Sequence, residues 1–149
     1  MSTTSTTELD ATARDAFLGT GGTGVIAFAG AAGAPPHSLP VSYGYDATAE
    51  TFYFRLALGS DHEKAPLVER PVSFVVYGTG EDGWRSVIAT GHLEPTTDEA
   101  IATETLAGLE RVDIPFVEMF GEPPRDLEFG FFRLVPESLT AQTESAAPL

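Results

Sequence analysis

The feature that most constrains the fold is a run of alternating apolar residues near the middle of the chain. Apolar side chains occupy every second position at Phe52, Phe54, Leu56 and Leu58. A period of two predicts a β-strand with one face in a core, because successive side chains of a strand point to opposite faces. The chain must therefore supply further strands to complete a sheet around this one.

The loop that follows this strand concentrates reactive side chains. Ser60 and Asp61 are residue types that cap helices, and they precede a predicted short helix that runs toward Arg70. The free N–H groups at such a helix start favour an anion such as a phosphate. His62 and Lys64, the only lysine of the chain, lie in the same loop. The pattern predicts an anion site, although a surface lysine on a capped helix explains it equally well.

Length and composition predict one domain without covalent cross-links. A chain of 149 residues can bury a core of its own, and the absence of cysteine excludes disulfides, thiolate nucleophiles and cysteine-ligated metals. No apolar run is long enough to span a membrane, and the N-terminal residues do not resemble a signal peptide. We expect a cytoplasmic protein with a disordered tail at 1–7, a single domain at 8–137 and a flexible tail at 138–149.

The charge of the chain is strongly acidic. The formal net charge is −14, with 22 acidic residues against eight lysines and arginines. Such a surface repels nucleic acids and anionic membranes, so neither is expected as a partner. The scarcity of lysine resembles the composition of proteins from salt-loving archaea, in which concentrated salt screens the repulsion between acids. An ordinary acidic protein from a mesophile remains the alternative.

A glycine-rich segment at 19–24 formally matches the G-x-G-x-x-G pattern of dinucleotide-binding proteins. That pattern must follow a strand and open a helix, because the helix N-terminus holds the pyrophosphate. Here a predicted helix at 8–18 precedes the glycines and a predicted strand at 25–29 follows them. The order of elements therefore indicates a flexible turn.

Further strand patterns recur at hairpin spacing. Turn residues separate them, and strands do not alternate regularly with helices. This arrangement predicts a mainly β fold, a six-stranded antiparallel barrel with two or three helices at its edges. Gly91 is expected to mark a bend or a bulge in the fifth strand. The predicted strands lie at 25–29, 38–46, 52–58, 72–77, 84–94 and 127–135, and a late helix is predicted at 98–111.

Four segments together resemble the pyridoxamine 5′-phosphate oxidase-like split-barrel flavoproteins. They are residues 37–46, the strand at 52–58 with its Gly-Ser loop, residues 70–77, and Arg85-Ser86-Val87 with Gly91. The resemblance implies a split barrel that forms a homodimer with FMN at the interface. It also implies that the flavin ring rests on the backbone of the second strand and that the phosphate binds after the third.

The same resemblance implies candidate cofactor-binding residues. Arg55 also fits on chemical grounds, because it points away from the apolar face of its strand and a guanidinium suits a phosphate. A solvated ion pair at a sheet edge is the alternative role for Arg55. The ring would contact Leu39, Pro40, Val41, Ser42, Arg85 and Ser86, the ribityl phosphate would approach Arg55 and Leu56, and Ser60, His62 and Lys64 would complete the phosphate pocket.

The chain also departs from the oxidases themselves. Ser38 and Asp61 stand where those enzymes carry basic residues, and their C-terminal Trp-Gln and arginine elements have no counterpart after Asp126. The resemblance therefore implies a flavin-dependent oxidoreductase or flavin reductase of unknown substrate rather than oxidation of pyridoxamine phosphate. A deazaflavin-binding reductase and a non-catalytic flavin store are the alternatives.

Other chemistries find little support in the sequence. The three histidines show no zinc-binding spacing, and no G-x-S-x-G motif is present. Haem, which some split-barrel relatives bind, is a remote option. The apolar strip Ile114, Phe116, Val117, Met119 and Phe120 is a candidate dimer interface, with burial inside the same chain as its alternative.

Overall fold

The computed structural model describes residues 4–57, 65–80, 83–110 and 129–146. The described part is an antiparallel β-sheet with short helices, as the alternating sequence patterns predict. The strands are β1 (Thr4–Glu8), β2 (Gly21–Phe28), β3 (His37–Asp46), β4 (Thr51–Ala57), β5 (Pro71–Gly80), β6 (Gly83–Thr96), β7 (Phe129–Leu134) and β8 (Ser138–Ala146). The helices are α1 (Ala11–Leu18), α2 (Ala65–Val68) and α3 (Thr103–Glu110), with a 3₁₀ turn at Asp98–Ala100.

Six of the strands close into a ring. The sheet runs in the order β1-β8-β6-β5-β2-β3-β4-β7, and an additional pairing between β6 and β7 joins its far end back to β6. The ring therefore contains β2 to β7, while β8 and β1 extend outward from β6. This confirms the predicted six-stranded antiparallel barrel.

The long strand β6 changes its pairing partner at Gly91, where the sequence predicts a bend or bulge. Before the glycine, β6 pairs with β8 from Trp84 to Thr90. After it, β6 pairs with β7 from Leu93 to Thr96. One strand thus pairs with two neighbours on the same edge, and this exchange of partners closes the ring.

Both predicted tails contain strands, which corrects the expectation from the sequence. Ser138–Ala146 forms β8, and its pairing with β1 also orders Thr4–Glu8. On β8, Leu139 and Ala141 pack against the core, whereas Thr140 is exposed. The segment has few apolar residues because its outward face is polar. For this reason its composition predicted a disordered tail.

The glycine-rich segment is also not the flexible turn that its composition suggests. Gly21 begins β2 and pairs with Gly44. A Cβ on Gly21 would lie 2.5 Å from the carbonyl oxygens of Gly108 and Tyr43, and one on Gly24 would lie 2.6 Å from the oxygen of Val75. These glycines allow close approach of the backbone to α3 and to neighbouring strands.

The predicted strand at residue 52 is β4, and it is more buried than its pattern suggests. Phe52 and Phe54 enter the barrel core, where Phe52 packs 5.4 Å from the ring of Phe74. Tyr53, on the opposite face, is buried with Ile101 and Leu109. The helical segment after β6 therefore covers the outside of β4, and Arg55 is the only exposed residue of this strand.

The barrel is split between β3 and β4. These strands pair only where Gly44–Asp46 meets Thr51–Tyr53. Beyond this, β3 continues beside β2 and β4 continues beside β7. The two strands of the predicted hairpin thus diverge, and the gap opens at the barrel end opposite α1.

Candidate functional site

A cavity of about 320 Å³ occupies the barrel end where β3 and β4 diverge. We call it the split cavity. Its floor is apolar because the inward-facing residues of three strands meet there. The lining residues are Phe28, His37, Leu39, Leu56, Ala57, Leu67 and Arg70.

Two basic side chains stand at the split cavity. Arg70, just before β5, and His37, at the start of β3, are both exposed. Within the described residues, the ion pairs are formed by Arg14, Arg133 and His92. Arg70 forms no ion pair with any of the described carboxylates. The cavity thus combines an apolar interior with a guanidinium at its mouth.

A second depression lies on the outer face of the barrel, over β2, β3 and β5. We call it the outer groove. It has a volume of about 300 Å³ and is lined by Thr23, Gly24, Val25, Pro40 and Tyr77. Tyr77 is 61% exposed, so a large aromatic ring stands in solvent beside this groove.

Pro40 occupies a place where a proline is tolerated, because β3 borders the split there. The N–H of Tyr45 donates to the carbonyl oxygen of Thr20 at 2.9 Å, so odd-numbered residues of β3 direct their peptide groups toward β2. Even-numbered residues, Pro40 among them, direct theirs toward the split. A proline there removes no hydrogen bond from the ladder with β2.

The structure gathers three of the residues suggested by the resemblance around the outer groove. Pro40 lines it directly, Ser42 pairs with Thr23, and Ser86 pairs with Tyr77. Because paired residues share a face of a sheet, all three lie on the outside of the barrel.

The other suggested residues lie elsewhere. Leu39 and Leu56 line the split cavity, and Val41 is buried in the core. The guanidinium carbon of Arg55 lies 4.4 Å from the ring centroid of Phe129, on the outside of β4. Arg85 packs beside Gly80 on the face of β6 opposite to Ser86.

Several predictions concern residues outside the described part of the chain. They are the phosphate residues Ser60, His62 and Lys64 and the candidate interface strip at 114–120. In the sequence, residues 58–64 lie between Ala57 and α2. Ala57 and Leu67 of α2 line the split cavity.

Sequence reasoning missed residues at both depressions. His37, Leu67 and Arg70 at the split cavity come from different elements, and only the topology brings them together. Tyr77 was part of a predicted central strand, and an apolar side chain in such a strand gives no signal that it faces solvent. Arg70 carried a clue, since a cation is rare in so acidic a chain.

Metal-binding clusters and membrane-spanning helices are both absent from residues 4–57, 65–80, 83–110 and 129–146. In these ranges no group of three or more histidine, aspartate and glutamate side chains is placed to hold a metal ion. The helices found there are too short or too polar to cross a bilayer.

A ring of six antiparallel strands with a split between two of them defines the split-barrel class. The family model described as pyridoxamine 5′-phosphate oxidase matches residues 10–143. The chain therefore belongs to the pyridoxamine 5′-phosphate oxidase family, which confirms the resemblance found in its motifs. A comparison with curated proteins finds no match.

Solved structures share this fold at low sequence identity. The FAD-binding protein of Mycobacterium smegmatis is 22% identical with a TM-score of 0.60, and the match covers 93% of this chain and 100% of that one. The FAD-binding protein of Mesorhizobium loti is 20% identical with a TM-score of 0.62, covering 97% and 99%. The FAD and heme binding protein of M. smegmatis is 14% identical with a TM-score of 0.63, covering 97% and 75%.

Proposed function

We propose that this protein is an FMN-binding oxidoreductase whose flavin ring lies in the outer groove. The observation that carries the proposal is the convergence of Pro40, Ser42 and Ser86 around the groove that Tyr77 flanks. A flavin ring is flat and has one apolar edge and one hydrogen-bonding edge. The groove offers Val25 and Pro40 to the first edge and the hydroxyl of Thr23 to the second.

The bound flavin would supply the electron transfer, and the chain would supply orientation. In this proposal the backbone from Leu39 to Ser42 lies along the ring. Arg55, Ser60, His62 and Lys64 are proposed for the phosphate, because a dianion in a chain of net charge −14 needs local cations and donors.

The identity of the flavin separates three versions of the proposal. FMN and a deazaflavin both follow from the family resemblance, and FAD from the names of the similar mycobacterial and rhizobial proteins. Mass spectrometry of the cofactor released by denaturation distinguishes them, since their masses differ. A non-catalytic flavin store would bind the cofactor but show no reduction by NADH or NADPH and no turnover with an electron acceptor.

Placement of the ring is tested by FMN titration of Thr23→Glu. The new carboxylate would stand in the outer groove, and we expect FMN affinity to fall about tenfold or more, which corresponds to about 1.4 kcal/mol. Thr48→Glu is the matched control, because it makes the same charge change at an exposed site in the turn between β3 and β4. Equal affinities in the two variants would place the ring outside the groove.

We also propose a homodimer that covers the outer groove. Trp84 is 56% exposed and its ring centroid lies 6.3 Å from that of Tyr77, while Ile88 is 39% exposed. These three residues form an exposed apolar patch that is continuous with the groove through Tyr77. Large aromatic residues are enriched at protein interfaces, and a second copy seated here would also bury the ring.

Light scattering of Trp84→Glu tests this interface. We expect the variant to be a monomer with weakened flavin binding, because a carboxylate in the centre of an apolar interface is left without a partner. Val135→Glu is the control, since Val135 is an exposed apolar residue between β7 and β8. A dimer that survives the change at Trp84 would move the interface to another surface.

A further inference from the structure

The described part of the sheet has an open edge along the outer side of β1. This strand stands at one end of the strand order, and β8 is its only partner among the described strands, over all five residues of Thr4–Glu8. Because β2 to β7 form the ring, β1 lies outside the barrel at the end of the sheet. Such an edge presents backbone N–H and C=O groups with which another strand can pair.

The pairing of β1 with β8 determines which backbone groups face this edge. The N–H of Leu9 donates to the carbonyl oxygen of Ala141 at 2.9 Å, and this pair continues the register between β1 and β8. Alternate residues of an antiparallel strand direct their N–H and C=O groups toward the same neighbour. The odd-numbered residues of β1 therefore bond to β8, as Leu9 does. The backbone groups of Thr4, Thr6 and Glu8 point outward.

The sequence of β1 lacks the features that commonly block an open edge. Natural sheets protect their edges with lysine, proline, a bulge or a covering segment. The strand reads Thr-Ser-Thr-Thr-Glu, and its register with β8 runs without a bulge. Threonine also favours the extended backbone that pairing requires. The single charge of the strand, on Glu8, lies at its end and leaves the middle of the edge neutral.

The outward backbone groups of β1 are complementary to those of a second copy of the same strand. Two identical strands related by a twofold axis are antiparallel. An axis at Thr6 places this residue opposite its own copy and places Thr4 opposite Glu8. All three residues with outward groups then pair with one another, which gives about six backbone hydrogen bonds. Glu8 lies opposite a threonine in this register, so no two acids of β1 face each other directly.

We propose that the outer edge of β1 pairs with β1 of a second copy of this chain, antiparallel about Thr6, so that one sheet runs through two barrels. The pairing is independent of flavin binding, because β1 contributes neither to the outer groove nor to the patch of Tyr77, Trp84 and Ile88. An edge of five residues buries less surface than a stable interface needs. Two chains of net charge −14 also repel each other, so the pairing requires salt that screens this repulsion.

Sedimentation velocity in rising potassium chloride tests the pairing. The mass of the parent protein should increase above its value in dilute buffer as salt rises from about 0.1 to about 2 M. Thr6→Pro removes the outward N–H but no bond to β8, so self-association should weaken at least tenfold. Thr6→Val keeps the N–H and the strand preference and should associate like the parent. A mass that stays constant with salt, or a Thr6→Pro variant that associates like the parent, would overturn the proposal.

Disulfide cross-linking tests the position of the twofold axis. The chain has no cysteine, so Thr6→Cys carries a single thiol. The Cα atoms of a hydrogen-bonded antiparallel pair are about 5.5 Å apart, which a disulfide can span. Oxidation in about 2 M potassium chloride should therefore give a covalent dimer of Thr6→Cys. Thr48→Cys, at an exposed turn residue between β3 and β4, should remain a single chain on a denaturing gel. Equal cross-linking of the two variants, or none of Thr6→Cys, would contradict pairing about Thr6.

Discussion

At the scale of single residues, two tyrosines hold α1 over one end of the barrel. The hydroxyl of Tyr43 donates to the carbonyl oxygen of Leu18 at 2.8 Å, and that of Tyr45 donates to Oδ1 of Asp15 at 2.7 Å. Arg14 also donates to Asp15 at 3.0 Å. Each hydroxyl is therefore satisfied inside an otherwise aromatic environment, which gives the helix a fixed position.

Burial of these hydroxyls predicts a loss of stability in base. Desolvation raises the pKa of Tyr43 from 10.0 to about 12. Below pH 10 the phenol is neutral in both the folded and the unfolded chain. The contribution of the buried Tyr43 to the free energy of unfolding is therefore fully present there. Between about pH 10 and 12 only the unfolded chain ionises, and the free energy of unfolding should fall by up to about 1.4 kcal/mol per pH unit.

Urea unfolding of Tyr43→Phe between pH 7 and 12 isolates this contribution. At pH 7 the variant should lose about 1 kcal/mol with the hydrogen bond to Leu18. Above about pH 10 its stability should fall less steeply than that of the parent, because phenylalanine does not ionise. Tyr45 remains in both proteins and cancels in the comparison. Parallel curves would show that Tyr43 is not the titrating group.

At the scale of elements, β8 is the strand that the sequence hides. It supplies the outer partner of β6 from Trp84 to Thr90 and the only described partner of β1. Its apolar contribution is small, because Ala141 is its buried apolar residue and Leu139 is only partly buried. The segment is held mainly by backbone hydrogen bonds to β6 and β1, and these bonds cannot be recognised from composition.

Two substitutions on β8 separate a strand from a tail. Ala141→Asp places a carboxylate on the buried face, and we expect it to cost about 3 kcal/mol of unfolding free energy. Thr140→Asp adds the same charge one residue earlier on the exposed face and should change stability by less than about 0.5 kcal/mol. Chemical denaturation measures both. If neither substitution matters, residues 138–146 are the tail that their composition suggests.

Local patterns predicted the elements well where one face of a strand contrasts with the other. The hairpin from β3 to β4 and the irregularity of β6 at Gly91, where its pairing partner changes, follow from alternation and from turn residues. The role of Gly21 could not be predicted, because it depends on Gly108, which is distant in sequence. The candidate sites were predicted in part. Motif resemblance indicated Pro40, Ser42 and Ser86 near the outer groove and Leu39 and Leu56 at the split cavity, but it did not indicate His37, Leu67 or Arg70.

At the scale of the whole molecule, acids far outnumber their partners. The ion pairs within the described residues join Arg14, Arg133 and His92 to Asp15, Glu50, Glu94 and Glu137. Several are exposed, as at Glu94 and Glu137, and exposed pairs each contribute less than about 1 kcal/mol. Because the chain carries 22 acids against eight lysines and arginines, repulsion among acids is an electrostatic term that dissolved salt can screen.

The salt-loving character of the composition is tested by melting the protein across a range of potassium chloride concentrations. The Debye length falls from about 10 Å at 0.1 M to about 3 Å at 1 M, so salt should screen the repulsion and raise the melting temperature by several degrees. The triple variant Glu99→Gln, Glu104→Gln and Glu144→Gln removes three exposed acids and should melt higher in dilute buffer with a weaker dependence on salt.

FMN affinity should also rise with salt, because long-range repulsion of the phosphate involves many acids and its contacts involve few cations. A melting temperature and an affinity that both fall as salt is added would show that this acidic chain does not need salt, and an unchanged salt dependence in the triple variant would show that salt acts through hydrophobic burial instead.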